Sequence, residues 1–150
     1  METLNIYLAG GMQKFGKKNF DIGNSWRIYI ERKLMELMDD IDCNTKVKIC
    51  NPNNYYNFCS KPQYDSQREV MEFDLNKVRN SNLIIVNFND IKSLGTMAEL
   101  AIAYEHRIPV IGLCKEEDYS ELHPWQKEMC NRIFFDIKKL SKYAIDYYVI

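Results

Sequence analysis

Residues 83–114 read LIIVNFNDIKSLGTMAELAIAYEHRIPVIGLC. The opening run, Leu83 to Phe88, is mostly apolar and too short for a helix, as expected of a strand buried on both faces. A second β-type run covers Ile108 to Cys114, and the chain between has room for a helix that follows Thr96. The same alternation extends outward, with further β-type runs at Leu4 to Ala9 and Lys46 to Cys50. A first helix is expected from Asn24 or Ser25, where Trp26, Ile30, Leu34, Leu37 and Met38 recur on one face. A second is expected from Ser66, where Ser66 and Glu69 form an S-x-x-E capping box ahead of Val70, Phe73 and Val78. Residues 123–148 read as a short helix, a fifth strand around Ile133 to Phe135 and a C-terminal helix. Because parallel strands need both faces covered, the expected fold is a doubly wound, flavodoxin-like or Rossmann-like α/β domain. It spans residues 1–150, with about five mainly parallel strands and helices on both faces.

Composition narrows the function classes. A chain of 150 residues that is 46% hydrophobic supports one core. Lys and Arg (20) nearly balance Asp and Glu (21), so no basic field is available for a nucleic-acid polymer or an anionic membrane. A small-molecule partner is expected instead. The N-terminus METLNIYLAGG lacks a signal-peptide pattern and no apolar run approaches the roughly 18 residues of a membrane span, so a cytoplasmic protein is expected. Five cysteines without a C-x-x-C pair suit reduced thiols better than disulfides or a zinc site.

In doubly wound folds ligands bind beyond the carboxyl ends of the strands, which directs attention to the loops AGGMQKFGKK, NPNNYYNF and NDIKSLGT. GMQKFGKK fits G-x-x-x-x-G-K but ends in Lys18 where a P-loop needs Ser or Thr for magnesium, and LIIVNF does not end in the acid of a Walker B strand. Gly10 and Gly11 still allow a ligand close to the backbone. Glu99 has two readings. Thr96-x-x-Glu99 is itself a capping box, and a helix N-terminus stabilises a carboxylate whatever its function. Alternatively Glu99 is a nucleophile. Asp74, among the apolar positions of the second helix, reads as an edge residue or an acid, and His123 as a local structural contact.

Several segments in order, IYLAGGM, SWR, CNPNNYY, EVMEFDL, NSNLIIVNF, SLGTMAELAIAYEHRIPVIGL and HPW, together resemble the nucleoside 2-deoxyribosyltransferase family. The resemblance implies that Glu99 is the nucleophile, that Asp74 lies near the leaving base, and that Tyr7 orients Glu99. It places Gly10 and Gly11 beside the sugar, and Gly95, Thr96 and Met97 with Ser93 and Asp90 among the substrate-binding positions. It implies no metal or organic cofactor, a nucleoside or nucleotide and a nucleobase as small-molecule partners, and a homodimer or higher oligomer with shared active sites. Family members acting on free nucleosides tend to carry Asp six residues before the nucleophile. Here that residue is Ser93, as in relatives that hydrolyse deoxynucleoside 5′-monophosphates, while Asp90 is a candidate for the sugar contact. Transfer and hydrolysis are both compatible with these residues, and a non-catalytic nucleotide sensor is the alternative of another class.

Overall fold

The computed structural model describes residues 2–12, 20–55 and 66–149, with no side-chain placement for residues 20–22. Lys18 of the GMQKFGKK segment and Cys59 lie outside those residues. Five strands, β1 (Glu2–Gly10), β2 (Thr45–Cys50), β3 (Leu83–Asn87), β4 (Val110–Leu113) and β5 (Arg132–Phe134), form one sheet in the order β2-β1-β3-β4-β5. Every pairing is parallel, including Gly10 with Asn87 at the ends of β1 and β3. The helices are α1 (Phe20–Asp39), α2 (Gln67–Arg79), α3 (Leu94–Glu105), α4 (Pro124–Met129) and α5 (Ile137–Ala144). The protein is therefore a doubly wound α/β fold with the flavodoxin strand order.

The period-2 alternation of β1 explains the two layers. Ile6 and Leu8 join Ile30 and Leu34 of α1 and Leu140 and Ala144 of α5 in one core cluster. Tyr7 and Ala9 face the opposite cluster, with Val78 of α2 and Leu100 and Ala103 of α3. Residues 6–9 and 83–86 are fully buried, as their near-continuous apolar sequence requires. No helix among the described residues is long and apolar enough to cross a membrane.

Two helix starts differ from the sequence expectation, for identifiable reasons. α1 begins at Phe20 rather than at Asn24 or Ser25. Asn24 does not cap, because its side-chain oxygen accepts hydrogen bonds from Asn51 and Asn53. α3 begins at Leu94 with Ser93 as its N-cap, the Ser93 hydroxyl oxygen accepting from the Thr96 amide at 3.3 Å. The Thr96-x-x-Glu99 capping box is thereby excluded: Thr96 already lies in the first turn and Glu99 in the second. Ser66 caps α2 as expected, accepting from the Glu69 amide at 3.2 Å. His123 is a structural contact, as read: its ring nitrogen Nδ1 accepts from the Trp125 amide at 3.1 Å and so caps α4.

Candidate active site

Strand order reverses beside β1, since β2 lies on one side and β3 on the other, so the crevice of the fold opens above the ends of β1 and β3. A cavity of about 160 Å³ occupies that position. Tyr7, Gly10 and Met12 reach it from β1 and the following loop, Arg27 from α1, Pro52 and Asn53 from beyond β2, Asp74 from α2, and Ser93, Gly95, Thr96 and Glu99 from α3. A larger hollow of about 580 Å³ lies at the opposite, amino ends of β4 and β5, away from the crevice, and shares none of these residues.

Seven of the ten residues singled out in the sequence line this one cavity. Gly11, Asp90 and Met97 do not. A Cβ on Gly11 would meet the Asp90 Cβ at 2.8 Å, so that glycine lets the β1 and β3 loops close against each other, and the Asn89 side chain accepts from the Gly11 amide at 3.0 Å. Met97 packs against the core cluster under α3. Gly10 lines the cavity and also leaves room for α1, because a Cβ there would come within 2.9 Å of the Trp26 ring.

Glu99 is buried at 9% exposure. Burial pushes its carboxyl up to about 8; hydrogen bonding from Tyr7 pulls it down, the charge of Asp74 raises it, and the guanidinium of Arg27 lowers it. The terminal amides of α3 therefore do not hold Glu99 ionised, since it stands a turn beyond them. The site instead sets a second carboxylate, Asp74, close enough for its charge to bear on Glu99. Cys50 and Cys130 are poor nucleophiles, because burial pushes their thiols up to about 11 and about 12.

Arg27 and Asn53 line the cavity although the sequence did not single them out. Arg27 is 1% exposed and its guanidinium donates to the carbonyls of Gly10 (2.9 Å), Gly23 (3.0 Å) and Leu8 (3.4 Å). It therefore pins the end of β1 to α1 and brings a positive charge to the cavity wall. The SWR segment contained the signal, but an arginine on an amphipathic helix ordinarily marks the solvent face.

No protein-family model matches the chain, and no curated protein matches it. Solved structures do. A conserved protein from Enterococcus faecalis V583 superposes with a TM-score of 0.68 at 16% identity, covering 93% of this chain and 96% of that one. The 2-deoxyribosyltransferase of Bacillus psychrosaccharolyticus gives 0.62 at 17% identity over 93% and 91% of the two chains. The CMP N-glycosidase BcmB of Clostridium botulinum gives 0.55 at 15% identity over 95% and 99%. The chain thus has the fold of a 2-deoxyribosyltransferase and of a nucleotide N-glycosidase, the fold that its sequence resemblance implied.

Proposed function

We propose that the protein is an enzyme that cleaves the N-glycosidic bond of a nucleoside or its 5′-monophosphate through a covalent glycosyl-Glu99 intermediate. The observation that carries this reading is the convergence of Glu99, Tyr7 and Asp74 on one cavity at the crevice of the sheet. Glu99 would attack the anomeric carbon as the carbon–nitrogen bond breaks, and the departing base nitrogen would take its proton from Asp74. A second base or water then attacks the same carbon, giving up a proton to Asp74 and releasing Glu99 with overall retention. Ligand pockets typically enclose roughly 300–1,000 Å³, so this cavity of about 160 Å³ suits one part of a nucleoside, such as the sugar. The fold of the two neighbouring enzymes supports the bond class, and the three-residue convergence favours chemistry over a binding-only sensor. Assay against a panel of nucleosides and 5′-monophosphates, with and without an acceptor base, tests the reading. Release of free base supports it, and an inert panel contradicts it.

A homodimer or higher oligomer belongs to the same reading. Leu94, next to Ser93 on the rim, is 85% exposed and Trp125 67% exposed, which favours cover by a second copy.

Two further outcomes are expected. The first step needs Glu99 ionised and Asp74 protonated, so kcat/KM should be bell-shaped in pH, and because the Glu99 carboxyl is raised to about 8 the rising limb should lie well above pH 5. A pH–rate profile checks this. The Ser93 hydroxyl supports a 5′-phosphate. Its oxygen accepts from the Thr96 amide at 3.3 Å and from the Thr96 hydroxyl at 2.9 Å, which occupies both lone pairs and leaves only its proton to offer. A charged phosphate oxygen uses that donor more strongly than the neutral oxygen of a 5′-hydroxyl, whose own proton would find no acceptor there. A hydrogen bond to a charged group is worth about 1.5–3 kcal/mol. Ser93→Ala should therefore weaken a monophosphate substrate roughly ten- to a hundredfold with little change for the free nucleoside. Ser93→Asp should reverse the preference. Specificity constants for a matched pair on the three proteins measure both.

A further inference from the structure

The loop after β2 holds a fixed asparagine triad. The backbone amide of Asn53 donates to Asn51 Oδ1 at 3.0 Å, so Asn51 must turn its nitrogen the other way, where it donates to Asn24 Oδ1 at 3.1 Å. Asn24 therefore presents an oxygen, and Asn53 Nδ2 donates to that same atom at 3.0 Å and to Met12 Sδ at 3.3 Å. Flipping the Asn53 amide would set its oxygen against two acceptors. Its orientation is thus dictated by its own backbone amide, relayed through Asn51 and Asn24. The consequence is that Asn53 Oδ1, on a side chain only 6% exposed that lines the cavity, is buried with no hydrogen-bond partner among the described residues. Buried acceptors in folded proteins are almost always satisfied, and one left open at a ligand cavity is a position waiting for a donor.

We infer that Asn53 is a specificity-determining residue, its side-chain oxygen accepting a hydrogen bond from an O–H or N–H group of the bound nucleoside or nucleotide. The inference rests on the N-glycosidic reading above and adds what that reading leaves open, namely which substrates are preferred. The donors of this chemistry on such molecules are a sugar hydroxyl, an exocyclic base amine and the ring N–H of a lactam base. Matched pairs separate them. Cytidine and uridine, or adenosine and inosine, exchange the amine for a ring N–H, so the preferred member names the donor, and ribo-, 2′-deoxy- and 2′,3′-dideoxy forms differ in the hydroxyls.

The test measures kcat/KM for each pair, as 5′-monophosphates and as free nucleosides, on the wild type and on Asn53→Leu, which keeps approximate shape and lacks the acceptor. In the wild type one class of pair should favour the donor-bearing member by about tenfold or more, because a site built around a hydrogen bond rejects the analogue that leaves its polar group unpaired. In Asn53→Leu that ratio should collapse toward one, mainly through loss of the donor-bearing substrate. The ratio in the wild type needs no variant and stands even if Asn53→Leu folds poorly. Cleavage by the wild type with no preference in any pair, or ratios unchanged in Asn53→Leu, overturns the inference alone and assigns the open position to water. Absence of cleavage of every substrate overturns the N-glycosidic reading, and this inference with it.

Discussion

Glu99→Gln is expected to abolish turnover and to raise the melting temperature, with the gap over wild type widening between pH 5 and pH 9. Activity should fall roughly 10³-fold or more, because the amide cannot form the covalent bond on which the two-step mechanism depends. The stability effect has the opposite sign for a separate reason. Burial raises the Glu99 carboxyl from 4.5 to about 8 in the folded protein. Between those values the folded state retains a proton that the unfolded chain has lost, so folding loses stability as pH rises through that window and loses none below it. Glutamine carries no ionisable group and escapes that loss. Each kcal/mol recovered shifts the melting temperature by roughly 2–4 °C in a chain of this size. Melting curves at pH 5, 7 and 9 beside a base-release assay check both halves. A variant that melts lower than wild type at pH 9 would show Glu99 to be a structural acid, and residual turnover above about a tenth of wild type would remove it from the mechanism.

Asp74→Asn should slow release of ordinary nucleobases by about 10²–10⁴-fold, the usual value of general acid assistance. A substrate whose leaving group departs without a proton should be affected far less. That differential is what distinguishes an acid from a residue that merely shapes the cavity, since a distorted site would slow both substrates alike. Asp74 also raises the Glu99 carboxyl through its charge. Its neutralisation should therefore move the acidic limb of the pH–rate profile to lower pH, a shift that loss of packing would not produce. Rates for the two substrates and the position of that limb decide the assignment.

The sequence made the layers legible because buried parallel strands announce themselves: residues 6–9 of β1 and 83–86 of β3 are apolar throughout, and Ser66 with Glu69 marks the start of α2. It also singled out Tyr7, Asp74, Ser93 and Glu99, which lie on three separate segments and meet only because β1 and β3 are neighbours and α2 and α3 pack on the same face. It misplaced the start of α3 by the choice between two capping residues. Ser93 and Thr96 are both good caps three positions apart, and local chemistry could not say that Thr96 bonds back to Ser93. What it missed depended on burial. Arg27 and Asn53 are residue types that ordinarily face water, and nothing in their spacing reveals that one binds three backbone carbonyls and the other stands with its oxygen open to a cavity.

The covalent intermediate is the central claim, and mass spectrometry of the enzyme quenched with acid during turnover addresses it most directly. The mechanism predicts a fraction of protein heavier by one pentosyl or phosphopentosyl group, with the added mass on the peptide that contains Glu99 and absent from Glu99→Gln. Steady release of base with no adduct on Glu99, together with a product of inverted configuration at the anomeric carbon, would contradict it and point to direct attack by water.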